Sequence, residues 1–273
     1  MYNKERIYEI AKQYSNTKQK PYVTILQPRR DIKETPAQQL QNWQNRHIDA
    51  TSYAVSYHAV GGYPVDSARN MLLDLAIEDD CEYVLFVDED TALPFDGLNR
   101  LLETSKKYPD CIVNGIYFVK FGSPMLSVKD EKGHVTCPDV TPNQIIRDVF
   151  SIGLGCTLIP MSIIKKLKDK FSDLPMFCIV PEGCFEDEAI KMMGEDTWFY
   201  ELCKMEGIEV IADTNIQCLH MELATGKYEA YEGIDEADYV TNIPLAGRLT
   251  MEDRNRVSKD YFDRICTIEK EEK

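Results

Sequence analysis

The chain has no apolar run approaching the ~18 residues that a membrane-spanning helix needs. Its first stretch, Met1 to Lys20, is polar and charged, with no apolar leader core. A basic excess is also missing: 31 Lys and Arg stand against 46 Asp and Glu, a formal net charge of −15. That makes a nucleic-acid backbone a poor partner, since such binding needs a basic footprint, and leaves only a local basic groove as a route to one. The 9 cysteines are scattered, odd in number and contain no Cys-x-x-Cys pair. Neither a disulfide framework nor a zinc site is expected from them, and they point to a reducing compartment. There is no internal repeat and no low-complexity segment. The expectation is a cytoplasmic globular protein. At 273 residues, with 44% hydrophobic and 28% charged, it is long for one core but within reach of a single α/β domain.

What is present is organised around Tyr83-Val84-Leu85-Phe86-Val87-Asp88-Glu89-Asp90. The apolar half predicts a strand buried on both faces, and it ends in three carboxylates. In an open α/β sheet, ligands bind beyond the carboxyl ends of the strands. Acids gathered there repel one another unless a cation or a donor network compensates them. Asp88 and Asp90 are two apart, so extended backbone would point both the same way and Glu89 to the opposite face. Paired carboxylates suit Mg2+ or Mn2+, with water and phosphate oxygens completing the shell. A solvated acidic turn is the other reading of the same residues. A calcium loop of the EF-hand type is excluded, because Leu93 stands where that loop requires glycine.

Around this strand, helical spacing predicts short helices at residues 2–14, near Ala37–Trp43 and over Glu252–Ile265. Tyr22–Leu26 predicts a first strand stopped by Gln27-Pro28-Arg29-Arg30, whose arginines would suit a phosphate or a base. A second strand over Ala50–Val60, with Tyr53–Tyr57 at its centre, leads through Gly61-Gly62-Tyr63-Pro64 to a helix capped by Asp66 or Ser67. Its expected apolar face is Ala68, Met71, Leu72, Leu75 and Ala76, with Arg69 and Asn70 in the first turns. A helix over Phe95–Lys107, a strand over Cys111–Val119 and a hairpin turn at Lys129–Gly133 follow. Phe150–Ile159 resumes the core, and its Gly153 and Gly155 allow close backbone approach to a ligand. After a helix at Met161–Phe171, Gly194-Glu195-Asp196 opens another that closes at Gly207. Short strands at Ile208–Ala212 and Ile216–Leu219 come last, with His220 just past the second. His58 and His134 are expected to be structural or exposed. The alternation predicts an α/β sheet with helices on its faces.

Four pieces stand in a familiar order: the strand ending Asp88-Glu89-Asp90, the helix start Ser67-Ala68-Arg69-Asn70, Gly153-Leu154-Gly155-Cys156, and Gly194-Glu195-Asp196. Over residues 20–220 the chain resembles the GT-A-fold glycosyltransferases of the family 2-like group. The resemblance implies a GT-A (nucleotide-diphospho-sugar transferase) fold, a central mixed, mostly parallel sheet flanked by helices. It implies one catalytic domain over residues 1–220 and a C-terminal extension, 221–273, packing on or near the active site. Carried over residue by residue, Asp88 and Asp90 would hold Mn2+ or Mg2+ against the diphosphate of a nucleotide-sugar donor, a UDP-sugar first. His220 matches a third metal ligand of some members. Asp196, or Glu195 beside it, matches the general base of inverting members. Gln27, Pro28, Arg29, Arg69, Asn70 and Glu89 fall where relatives contact the nucleotide; the usual Asp of the second strand is missing, and Asp66 is its nearest substitute. Gly153, Gly155, Cys156 and Trp198 fall where the donor sugar or the acceptor would lie. The acceptor is a glycan, a lipid-linked sugar, a protein or a modified nucleobase. Two other classes compete. A nucleotidyltransferase also pairs carboxylates with metal and nucleotide, but residues 22–35 lack its Gly-rich signature and lysine. A binding protein on a degenerate GT-A scaffold would have little reason to keep Asp88, Asp90, Glu195 and Asp196 together.

Overall fold

Tyr83–Val87 forms a strand whose alternate side chains enter two different cores. Val84 and Phe86 lie on one face of the sheet, Leu85 and Val87 on the other. The computed structural model describes residues 22–30, 54–94, 96–119, 123–182, 191–222 and 227–229. The helices expected at 2–14, 37–43 and 252–265, and nearly all of the extension after residue 220, lie outside these residues. Within them, a seven-stranded sheet is built from β1 (Tyr22–Arg29), β2 (Ala54–Gly61), β3 (Tyr83–Val87), β4 (Cys111–Ile116), β5 (Ile145–Ile146), β6 (Cys156–Pro160) and β7 (Glu209–Gln217). Their order is β5-β7-β4-β6-β3-β1-β2. β1 pairs in parallel with β2 and β3, and β4 with β7. β6 runs antiparallel between β3 and β4, and β5 runs antiparallel at the far edge. The sheet is therefore mixed and mostly parallel.

Helices α1 (Val65–Glu78), α2 (Gly97–Lys107), α3 (Met161–Lys170) and α4 (Glu195–Met205) flank it. Leu72 and Leu73 of α1, Ile164 and Leu167 of α3, and Phe199 and Leu202 of α4 bury against one face. Leu98, Leu101 and Leu102 of α2 cover the other. Each such side chain contributes roughly 2 kcal/mol on burial, so packing of these faces holds the helices more than propensity does. α4 is further tied to the sheet by a buried polar group. Tyr200 Oη and Thr157 Oγ1 donate to Asn114 Oδ1 at 3.1 and 2.6 Å, and Asn114 Nδ2 donates to the Ile211 carbonyl at 3.2 Å. None of the described helices is long and apolar enough to cross a membrane.

Several local expectations are corrected. β1 does not stop at Leu26 but runs to Arg29. β3 accompanies it only to Leu26 while β2 stays alongside to Arg29, so the missing N–H of Pro28 breaks no bond to β3. Neither Asp66 nor Ser67 caps α1; Asp66 Oδ1 accepts from the Ser67 N–H at 2.7 Å, and Pro64 precedes the first helical residue. The buried face of α1 takes in Arg69 and Leu73, while Met71 is exposed. Phe150–Ile159 is not continuous: Val149–Ile152 pairs with Leu126–Lys129 in a separate small sheet, and only β6 joins the main one. The two short strands expected near 208–219 are one strand, β7, with a register shift against β4 after Ala212. The hairpin turn at 130–133 is as expected, with Gly133 at φ +83°.

Asp79 sits at the C-terminal end of α1, where the helix dipole disfavours an anion. Three partners converge on its Oδ2: Ser56 Oγ at 2.7 Å, Thr24 Oγ1 at 3.0 Å and His58 Nε2 at 2.9 Å. Burial works against the carboxylate, but the bonds from Ser56, His58 and Thr24 outweigh it and hold its pKa below the ordinary value. Asp79→Asn is expected to cost about 2 kcal/mol at neutral pH, measured by urea unfolding. A depressed folded pKa stabilises above the unfolded value of about 3.9 and loses that contribution as pH falls through the folded value. The gap between parent and variant should therefore close in acid; a gap independent of pH would contradict the charge assignment.

Candidate active site

β3 ends at Val87, and the next residues turn back. The Thr91 N–H donates to the Asp88 carbonyl at 3.1 Å, closing a turn over Asp88–Thr91. The strand alternation expected for Asp88, Glu89 and Asp90 therefore does not apply, and all three line one cavity of about 290 Å³. Arg69, Glu195 and Asp196 line it as well. The volume is at the lower end of small-ligand cavities, and the place is the carboxyl end of β1 and β3.

Arg69 is the hub. The first turns of α1 drive it under the end of β3, leaving its side chain 3% exposed, with the guanidinium over the Phe86 ring. Nη2 donates to Asp88 Oδ1 at 2.8 Å and Nε to Glu195 Oε1 at 3.2 Å. Its Nη1 is buried with no partner among the described residues. Burial pushes the Asp88 and Glu195 carboxyls above their ordinary range, with Arg69 pulling the other way. Burial also raises Glu89.

Glu195 and Asp196 occupy the first turn of α4 after Gly194, where free N–H groups stabilise anions. They have different partners. Glu195 is committed to Arg69, whereas Asp196 Oδ1 accepts from the Thr197 N–H at 2.6 Å and meets no cation within ion-pair distance among the described residues. His220 arrives by another route: Leu219–Glu222 pairs antiparallel with Thr91–Ala92, bringing His220 opposite Thr91. Its Nε2 stands 3.7 Å from Asp90 Oδ1 and its ring packs on Tyr117 at 5.2 Å. Burial opposes the imidazolium, but Asp90 and then Asp88 more than offset it, so its pKa is raised.

The remaining residues singled out by the sequence divide. Pro28, Arg29 and Gly153 line the cavity. Gln27 lies beneath it, its Oε1 accepting from Arg29 Nε at 2.9 Å and from the Tyr57 hydroxyl. Asn70 clasps Phe177 instead of facing the cavity: Nδ2 donates to its carbonyl at 2.7 Å and Oδ1 accepts from its N–H at 3.2 Å. Asp66 serves its own helix start. Cys156 is buried behind the cavity beside Cys218. Trp198 Nε1 donates to the Pro175 carbonyl at 3.0 Å, away from the lining residues, because its ring closes the edge of the core. His220 stands behind Asp90 and is not a lining residue.

Beyond the residues singled out for the site, Arg30 and Tyr117 also line the cavity. Arg30 was visible as the second arginine after β1, but nothing local tied it to the acids; its Nε is 3.6 Å from Glu89 Oε1 and its Nη2 3.8 Å from Asp90 Oδ2. Tyr117 had no signal of its own, and the clue was the glycine pair. A Cβ on Gly153 would stand 1.8 Å from Tyr117 Oη, and one on Gly155 2.7 Å from Thr91 Oγ1. The space that these glycines open is filled by Tyr117 and not left to a ligand. Burial drives the Tyr117 pKa well above that of a free phenol.

In kind, two hard carboxylates and an imidazole suit Mn2+ or Mg2+. In arrangement, no three His, Cys, Asp or Glu among the described residues converge to hold an ion, since Asp88 turns to Arg69 and Asp90 lies between Arg30 and His220.

The chain is thus a mixed α/β protein with a central, mostly parallel sheet and an acidic cavity at the strand ends, an arrangement consistent with a GT-A fold. No protein-family model matches it, and no curated protein matches its sequence. Among solved structures it is similar to A197 from STIV, with a TM-score of 0.51 and 17% identity over 82% of this chain and 98% of that one. A weaker match is GalNAc-T7 with UDP, GalNAc and Mn2+, at a TM-score of 0.44 and 11% identity over 79% of this chain and 45% of that one. At such identity the first likeness is one of fold alone.

Arg69→Met strands two carboxylates and should destabilise by about 3–5 kcal/mol. Adding Asp88→Asn and Glu195→Gln should recover most of that loss in urea unfolding; no recovery would mean that the guanidinium matters for its packing on Phe86. Gly153→Ala should cost about 1–3 kcal/mol, and Tyr117→Phe in the same chain should relieve part of it by removing the colliding oxygen. Additive losses would show that the clash lies elsewhere.

Proposed function

We propose that this protein is a metal-dependent glycosyltransferase, moving a sugar from a nucleotide-diphosphate sugar, a UDP-sugar first, to an acceptor hydroxyl with inversion, in the cytoplasm. One observation carries the proposal: the acids ending β3 and the acids opening α4 face a single cavity across Arg69. A divalent cation at Asp88 and Asp90, with His220 behind them, would supply Lewis-acid neutralisation of the departing diphosphate.

The chain's own residues would do the rest. The acceptor oxygen attacks the anomeric carbon, the bond from that carbon to the diphosphate breaks, and the acceptor proton passes to a carboxylate. Asp196 is the better candidate for that carboxylate, because Arg69 already occupies Glu195. Glu195 is then a positioning residue that seats the start of α4 against β3 through Arg69. The Arg69 Nη1 atom has a hydrogen left to donate to a ligand oxygen. Arg29, braced by Gln27 and by Tyr57, offers a cation at the mouth. A second possibility is a nucleotide- or glycan-binding protein on the same scaffold, favoured by the engagement of Asp88 with Arg69 in place of an open ligand set.

Thermal shift with UDP, GDP and CDP, with and without Mn2+, together with hydrolysis across a panel of nucleotide-sugars, separates the two. The transferase should show cation-dependent stabilisation with hydrolysis; stabilisation without turnover identifies the binder. Asp196→Asn should lower turnover by about 10²–10⁴ while leaving nucleotide binding near parental. A variant that keeps most of its turnover removes Asp196 as the base.

A further inference from the structure

Tyr117 carries a polar atom that the fold itself barely uses. The residue is 4% exposed, and its hydroxyl end lies against Gly153, a fellow lining residue of the cavity. The oxygen accepts one long bond, from the Gly155 N–H at 3.4 Å, and its hydrogen meets no acceptor among the described residues. A buried donor left in that state costs free energy, and a phenylalanine would fill the same space without it. The oxygen also constrains its surroundings, since any side chain at position 153 would strike it. Such an atom is expected where a ligand completes its bonding. Burial keeps the phenol neutral, so it stays a donor. In the same cavity Asp196 has the opposite surplus. Its Oδ1 takes the Thr197 N–H, while its Oδ2 has no partner among the described residues. Asp196 and Arg69 both stand near enough for their charges to act on the phenol. Arg69 adds a second buried donor without a partner, its Nη1.

We infer that the Tyr117 hydroxyl and Asp196 Oδ2 form a hydroxyl-recognition subsite, which binds an uncharged saccharide directly through its ring hydroxyls. A hydroxyl is the group that suits both, accepting from the phenol while donating to the carboxylate. A fully ionised phosphate can accept from Tyr117 but has no hydrogen for Asp196. An ammonium group can donate to Asp196 but leaves the phenol without an acceptor. The rest of the wall fits a sugar ring. Tyr63 and Met125, 54% and 42% exposed, line the cavity together with buried Leu154. These apolar groups suit the C–H face of a pyranose whose hydroxyl edge turns to Tyr117 and Asp196, and a few fixed polar groups in an apolar wall is the common makeup of a small-ligand site. Tyr117 is then a specificity residue, because a site built to bond a hydroxyl rejects the analogue that lacks it. Which reaction the sugar enters rests on the transfer proposed above; the binding itself needs neither a cation nor turnover.

The test uses the full chain in EDTA, with glucose, galactose and mannose titrated one at a time and followed by ligand-observed NMR. At least one of them should bind the parent saturably. Tyr117→Phe should weaken that sugar about three- to tenfold, and Asp196→Asn about tenfold or more, since a bond to a charged group is the stronger. Monodeoxy forms of the same sugar are then compared on the parent and on Tyr117→Phe. The form that lacks the recognised hydroxyl should bind both proteins alike, so the two losses do not add. That comparison holds whatever the substitution does to stability. A parent that binds none of the three sugars overturns the subsite, and so does equal affinity in parent and Tyr117→Phe. A monodeoxy series in which every loss adds to that of Tyr117→Phe overturns the direct contact. Sugar binding that follows Tyr117 in a chain that hydrolyses no nucleotide-sugar sinks the transferase and upholds the subsite. Hydrolysis by a chain whose sugar affinity ignores Tyr117→Phe sinks the subsite alone.

Discussion

A guanidinium with almost no access to water joins three elements at one point. Arg69 comes from α1, Asp88 from the end of β3 and Glu195 from the start of α4. Each of the three charges would be costly to bury alone, and a buried pair of this kind adds little net stability beside well-packed apolar residues. Its consequence is positional. The two bonds, Arg69 Nε to Glu195 Oε1 and Nη2 to Asp88 Oδ1, tie the start of α4 and the end of β3 to α1, and the cavity opens beside them.

The charge balance of the cavity follows. Five carboxylates line it, at Asp88, Glu89, Asp90, Glu195 and Asp196, against three arginines at positions 29, 30 and 69. The raised pKa values of Asp88, Glu89 and Glu195 express the same imbalance, since burial makes the charged forms costly and the arginines compensate only in part. The cavity therefore carries more formal negative than positive charge.

Much of this was legible from sequence wherever the signal is local. The apolar run before Asp88 reads as a buried strand and Gly194 followed by two acids as a helix start, and both form, because each rests on backbone preference and burial within a few residues. What was lost is long-range or depends on a few dihedral angles. The turn at Asp88–Thr91 cancelled the alternation that would have turned Glu89 away from its neighbours. Trp198 falls by the resemblance where the donor sugar or the acceptor would lie, yet its indole N–H turns to the Pro175 carbonyl. Asn70, one residue past Arg69, faces a different way around the helix and grips Phe177. Tyr117 was unreadable because its role is set by two residues far along the chain whose defining property is a missing side chain.

Neighbouring acids with unlike partners are suited to unlike work. Glu195 is fixed by Arg69 and its charge is answered there; Asp196, next in sequence, lines the same cavity and takes its bond from the Thr197 amide. A carboxylate that must accept a proton needs an oxygen not already shared with a guanidinium, since a proton and a fixed positive charge compete for the same lone pairs. Under the proposed transfer, that division leaves Asp196, and not Glu195, to take the proton. The same division separates Asp88 from Asp90 at the end of β3, where Arg69 grips the first tightly and Arg30 touches the second from solvent. In each pair one acid is bonded to the buried arginine and the other is not, so Arg69 sets which carboxylates of the cavity are already engaged.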